Sequence, residues 1–176
     1  MRYNKDCCRS ASYTPSVFWG GSVHIVPFRI GNVWLAIDAG KVDHILGKRE
    51  WVQVPSAPTQ WPGVLVWRGR AVAVLDLGLL LGMSPLSPSV SRHRTLIASA
   101  LGSLLAIAVD EIREAQAVAD SLLRPVHVTQ HRYAAFELEL DGQVMSLLDP
   151  VALVRDALAA ASSPASQPGS SAVAAH

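Results

Sequence analysis

Sulfur, charge and long apolar runs are all scarce in this sequence. Its two cysteines, Cys7 and Cys8, are adjacent in a polar stretch, so they cannot staple distant segments, and they read as reduced thiols with no metal or redox role. Charged residues make up 16% of the chain and nearly cancel, 15 Lys+Arg standing against 14 Asp+Glu. A chain so balanced generates no field that would gather nucleic acid or an anionic membrane surface. No apolar run reaches the roughly eighteen residues of a membrane span. The opening MRYNKDCCRSASYTP carries positive charge with no hydrophobic stretch behind it, and no lipidation box surrounds the cysteines. The expectation is a soluble, cytoplasmic protein with no nucleic-acid partner and no direct membrane insertion.

Signatures of catalysis are missing as well. There is no G-x-S-x-G elbow to strain a nucleophile against a base, and Ser103 after Gly102 reads as an ordinary hairpin turn. Neither G-x-x-x-x-G-K-[ST] nor G-x-G-x-x-G occurs, so no phosphate cradle is expected. His127 and His131 have helical zinc spacing, but VHVTQHRY follows Pro125 and is β-branched, which places them on opposite faces or in a loop. His24, His44, His93 and His176 make no closed-site spacing with the cysteines. No metal, no cofactor and no enzymatic activity are expected.

What remains is an apolar chain of 176 residues, 50% of them hydrophobic, long enough to bury a core. Short runs of Val, Ile, Leu and Trp alternate with Gly, Pro, Asn and Asp. This strand-and-turn pattern predicts a mainly β protein with strands at 23–30, 33–38, 64–67, 71–75, 94–100, 103–109, 134–140 and 143–147. Short helices are expected after Asp76 and Asp149, where an Asp N-cap precedes an apolar run and Pro150 suits the first helical position. Residues 1–21 form a polar arm, and 158–176 a Ser/Pro-rich tail too poor in apolar residues to order itself. Among the five tryptophans, Trp34 and Trp67 fit core packing, whereas Trp51 and Trp61 flank the Pro-rich VQVPSAPTQ and fit interface aromatics.

Two units recur in order. GNVWLAID resembles GSLLAIAVD, and GRAVAVLDL resembles GQVMSLLDP; Gly31 and Gly102, Asp38 and Asp110, Gly69 and Gly142, and Asp76 and Asp149 each stand about 72 residues apart. That interval suits duplication of a small β module, with units at about 22–83 and 94–155 within a domain of 22–157, exchanging strands across the connection 84–93. Because the four aspartates recur at strand ends, they read as caps or turn residues and not as a catalytic pair. Arg68 has no counterpart, since Asp141 precedes Gly142 where Arg68 precedes Gly69. An arginine there is either a solvated hairpin residue or a planar fork that engages a carboxylate.

Taken in order, these segments resemble the CheW family, the coupling proteins of bacterial chemosensory arrays. FRIGNVWLAIDAGKVDHIL matches its "a-I-D…V-x-E-I" segment and VPSAPTQWPGVLVWRGRAVAVLDL its "v-P…L-R-G…V-V-D-L" segment. TLIASALGSLLAIAVDEIREA and VMSLLDP match its closing strands. The resemblance spans about residues 23–155 and implies two intertwined five-stranded SH3-like β-barrels with a few short helices and no active site. It implies a non-catalytic adaptor, monomeric when free. Such an adaptor links a chemoreceptor's cytoplasmic signalling tip to the regulatory domain of a CheA-like histidine kinase at membrane-associated arrays. By position the receptor-facing groove would include Val42, Gly63, Arg68 and Gly69, with Leu96 and Ala115 at corresponding places. The sequence departs from the pattern at His44, which replaces the family's Glu, at Val66-Trp67 for Asn-Leu, at Ala73 for Pro and at Ala106 for Gly. These departures imply a divergent member whose receptor, kinase and motility output are not fixed by the resemblance. A regulatory module that holds a small ligand without joining receptor and kinase is the alternative.

Overall fold

A computed structural model describes residues 21–83, 94–126 and 133–155. Cys7, Cys8, Trp19, His93, His127, His131 and His176, the connection 84–93 and both terminal tails lie outside the described residues. In chain order the strands are β1 (Ser22–Ile30), β2 (Val33–Asp38), β3 (Val42–Gly47), β4 (Val52–Gln53), β5 (Gly63–Trp67) and β6 (Arg70–Leu75). They continue as β7 (Arg94–Ala100), β8 (Ser103–Val109), β9 (Glu111–Ile112), β10 (Gln116–Ala119), β11 (Arg124–Pro125), β12 (Ala134–Leu140) and β13 (Gln143–Leu148). A short helix, α1 (Leu77–Leu80), follows β6, and residues 150–155 are helical after β13.

The strands form two sheets. One has seven strands in the order β10-β1-β2-β13-β12-β11, with β9 also pairing β1; the other has six in the order β3-β7-β8-β6-β5-β4. Without the two-residue strands β4, β9 and β11, each sheet has five. Matching β1, β2, β12 and β13 to β7, β8, β5 and β6 turns one strand order into the other. The single parallel pairing in each sheet, β13 with β2 and β6 with β8, falls at the same place in both.

Four hairpins carry this arrangement, and three of them share one turn geometry that explains the recurring glycines. Arg68 and Gly69 have φ of 49° and 74°, Leu101 and Gly102 51° and 74°, Asp141 and Gly142 52° and 71°. Positive φ at both central residues is the type I′ geometry, whose twist matches that of the flanking strands. Asp, or better Asn, tolerates the first position, whereas an ordinary side chain there costs about 1 kcal/mol. Leu101 occupies it with 56% of its surface exposed. Leu101→Asn is therefore expected to stabilise the protein by about 0.5–1 kcal/mol, raising the urea midpoint without changing the slope of the transition.

Three apolar clusters hold the sheets. Val23, Ile25, Ala36, Val118, Leu138, Met145 and Leu147 fill the first sheet, with Trp34 at their edge. Leu46, Leu65, Val72, Val74, Ile97 and Ala106 fill the second, edged by Trp51 and Trp67. Between the sheets lies the largest cluster, where Phe28, Ile30, Leu35 and Ile37 meet Leu75, Leu96, Leu105 and Ile107, all at most 1% exposed. At about 1.5–3 kcal/mol for each such side chain, burial on both faces of β1, β2, β7 and β8 is what joins the sheets into one body.

Pro27 stands inside β1, a strand with neighbours on both sides, where proline is unusual. Pairing with β10 ends at Ile25 and pairing with β9 begins at Phe28. The residue without an N–H thus falls in the gap, and its carbonyl accepts from Arg113 N at 2.9 Å. The strands the sequence pattern missed are β3 and the short pairings. In β3 only Leu46 is buried, and a bulge falls between Val42 and His44, so no period-2 alternation marks it.

Candidate functional site

The turn between β5 and β6 sets Arg68 outward. The strand pair Trp67↔Arg70 leaves only Arg68 and Gly69 in the loop, and the guanidinium lies over the Trp67 ring, 5.1 Å from its centroid. On the same indole sits His44 from β3, ring centroids 4.8 Å apart and planes tilted by 36°. Two of the sequence's departures, His44 and Trp67, thus meet, and Trp67 also carries Arg68. The stack closes the gap between β3 and β5, which lie in the same sheet but are not hydrogen-bonded to each other. Among the described residues Arg68 forms no ion pair, and the buried Trp67 Nε1–H has no acceptor.

The other positions carried over from the resemblance have different surroundings. Val42 begins β3, half-buried against the cluster between the sheets. Gly63, at the far end of β5, is buried beneath the Trp51 ring and the Val52 carbonyl. Gly69 is exposed with open space around it. Ala115 is exposed on the β9–β10 connection of the other sheet. Leu96 is 0% exposed in the cluster between the sheets, and this corrects its reading as a receptor-facing residue. β7 runs between two clusters, with Leu96 toward one and Ile97 toward the other, so it has no side to offer a partner. The structure joins Arg68 and Gly69 directly and leaves Gly63 about 16 Å along the strand.

Trp51 and Trp61, expected as interface aromatics, are both partly buried. Trp51 covers the second sheet's cluster, and Trp61 packs against the one between the sheets. Trp61 also walls a cleft of about 490 Å³, together with Val54 and Pro58 on its own side and Val154 from the terminal helix. The floor is the outer face of β5, β6 and β8, tiled with the small residues Gly63, Ala71, Ala73 and Ser103. Val66 on β5 and Val52 on the edge strand β4 are 77% and 71% exposed, so this edge of the sheet is apolar beyond the cleft.

The repeated aspartates act locally. Asp38 Oδ1 accepts from Gly40 N at 2.8 Å, Asp76 Oδ1 from Leu79 N at 3.0 Å and Asp149 Oδ1 from Val151 N at 2.9 Å, each capping the turn or helix that follows. Asp110 differs: its Oδ2 takes the Gly31 N–H at 2.6 Å, tying the end of β8 to the β1–β2 turn. Next to it Glu111 accepts from Arg29 Nε and Nη2, both at 3.1 Å, and Arg113 lies 3.8 Å over Trp34, so this polar group is internally satisfied. Asp76→Ala would strip a cap only 2% exposed and is expected to cost about 1–2 kcal/mol, read as a lower denaturation midpoint, with Asp76→Asn costing less. Among the described residues no three His, Cys, Asp or Glu gather to hold a metal, and no helix is long and apolar enough to cross a membrane.

Two sheets with matching strand orders and recurring aspartates spent on caps and turns define a duplicated β module. The chain belongs to the CheW-like domain family, whose model matches residues 24–158, a family of non-catalytic scaffolds and adaptors in chemotaxis. It is 25% identical over 146 residues to the probable chemotaxis protein CheW of Rhizobium etli, spanning 81% of this chain and 94% of that one. Against the chemotaxis protein CheW of Rhizobium meliloti identity is 24% over 133 residues, 73% and 85% of the two chains. A stretch of 94 residues is 31% identical to Protein PilI of Pseudomonas aeruginosa, 53% of this chain and half of that one. The fold is that of the scaffolding protein TtCheW from Thermoanaerobacter tengcongensis, with a TM-score of 0.66 at 17% identity, covering 73% of this chain and 85% of that one.

Proposed function

We propose that this chain is a coupling protein without catalytic activity. It would join the cytoplasmic signalling tip of a chemoreceptor to the regulatory domain of a CheA-like histidine kinase, in chemotaxis or a related motility system. The observation that carries this reading is the CheW-like match across almost all of the described chain, combined with an Arg68 held out on a left-handed turn residue. The receptor contact is assigned to the Arg68–Gly69 turn, with half-buried Val42 and exposed Ala115 as further candidate positions elsewhere on the surface and Gly63 as support beneath β4. The apolar outer edge around Val52 and Val66 suits the kinase.

Purified chain mixed with the receptor tip and the kinase regulatory domain of its own organism should co-elute with each at concentrations on the order of 10 μM. If neither partner shifts it, the adaptor reading fails. The cleft beside Trp61 favours a second reading, a small-ligand regulatory module, because its volume lies in the range of small-molecule sites. That reading gains if the chain ignores both proteins and a small apolar compound alters its tryptophan emission.

A further inference from the structure

The corner at Arg68 brings together a guanidinium, an imidazole and an indole N–H, and no described carboxylate pairs with Arg68. Arg68 and His44 share the Trp67 ring, and an indole face draws cationic groups toward itself. An imidazole at position 44 supplies no carboxylate to fill the guanidinium fork. Asp43 beside it is exposed yet makes no ion pair with Arg68 among the described residues.

A second observation is independent of this geometry. Although the whole chain is nearly neutral, its charge is divided between the sheets. From residue 39 to 109 the described chain carries Lys41, Lys48, Arg49, Arg68, Arg70 and Arg94, opposed at the surface only by Asp43 and Glu50, since Asp76 is buried as a cap. The other sheet has the opposite balance, with Glu111, Glu114, Asp120, Glu137, Glu139 and Asp141 against Arg29, Arg113 and Arg124. A partner approaching the second sheet therefore meets positive potential before it meets any contact, which selects an acidic surface and repels a basic one.

We propose that the His44–Trp67–Arg68 corner docks an acidic protein segment, whose carboxylate takes the Arg68 fork that no described residue fills. This rests on the adaptor reading and adds the partner's chemistry to it. His44 is the specificity-determining residue: a glutamate there would close the fork from within, whereas imidazole leaves it to the partner.

The test uses the full chain and two synthetic helical peptides, one with a stripe of glutamates along one face and the other with glutamines in their place. Binding is followed by NMR at Arg68 Nε and the Trp67 indole N–H. The glutamate peptide should bind about tenfold more tightly at low salt, with the gap narrowing as ionic strength rises. His44→Glu should erase the gap by giving Arg68 an internal carboxylate, and Arg68→Gln should erase it too, with thermal melts showing both variants folded. Equal binding of the two peptides, or binding of neither, overturns the proposal. So does a shift of the same resonances by phosphatidylserine vesicles and not by the glutamate peptide. If the peptides discriminate while receptor tip and kinase domain fail to co-elute with the chain, the adaptor reading falls and the acidic-docking corner stands. If the proteins co-elute and the peptides do not discriminate, the corner alone falls.

Discussion

Replacing Gly63 by alanine should lower the unfolding free energy by about 3 kcal/mol, the upper part of the range for overpacking a tight site. The new methyl would fall inside van der Waals contact with the Val52 carbonyl oxygen and the Trp51 ring, whose Cζ3 would be 2.7 Å away. The first obstacle is backbone: β4 pairs Gln53 with Gly63 and Val52 with Val64, so the edge strand itself must move outward. For a chain of this length the melting temperature should fall by about 9 °C. Shrinking Trp51 to alanine in the same chain should recover only part of the loss, because the carbonyl clash remains. Gly69, by contrast, has open space around it and a φ of 74°, so alanine there costs about 1 kcal/mol through backbone conformation alone. If Gly63→Ala weakens receptor binding, the loss should therefore track instability and vanish when binding is compared at equal folded fraction. Unchanged stability with weaker binding would make Gly63 a contact residue instead.

Arg68→Glu should act the other way, weakening receptor binding by about 10- to 100-fold with the fold intact. Reversing a cation at a contact that seeks a carboxylate removes a charge-assisted bond and adds repulsion. Inside the protein the change removes little. Arg68 is exposed, has no ion pair among the described residues, and rests only on Trp67, a contact of about 0.5–1 kcal/mol at an exposed site. Circular dichroism and the melting curve should be close to those of the parent, and the affinity loss should shrink at high salt. Arg68→Lys tests the fork: a point charge keeps the steering and loses the bidentate geometry, so affinity should fall by less than with glutamate but measurably. An Arg68→Glu chain that unfolds would show Arg68 to be structural.

The eight strands read from the sequence are all present, most within one residue of their predicted ends, because each alternates or runs apolar between glycine turns. β3, β4, β9, β10 and β11 escaped for a common reason. They are short or exposed, and pairing rather than burial holds them, so their side chains carry no period: Glu111-Ile112 and Arg124-Pro125 are two residues each. The caps at Asp76 and Asp149 were legible because capping is local chemistry. Leu96 was not. TLIASA is apolar on both faces, and only the packing of a second sheet decides that neither face meets solvent. Proline-rich flanks around Trp51 and Trp61 indicated a loop but not that both rings would be partly buried against two different cores. The pairing of His44 with Trp67 joins residues on β3 and β5, two strands with no hydrogen bonds between them, and no sequence spacing foretells it.

A coupling protein is a bridge, and a bridge must hold both ends at once. Fluorescently labelled kinase regulatory domain, saturated with this chain, should be carried by the chain onto immobilised receptor signalling tips in a ternary complex, with the receptor affinity no worse than without the kinase. The signal should disappear with Arg68→Glu while the kinase remains bound to the chain. Displacement of the chain from the receptor by the kinase domain, so that either partner binds and never both, would contradict the account.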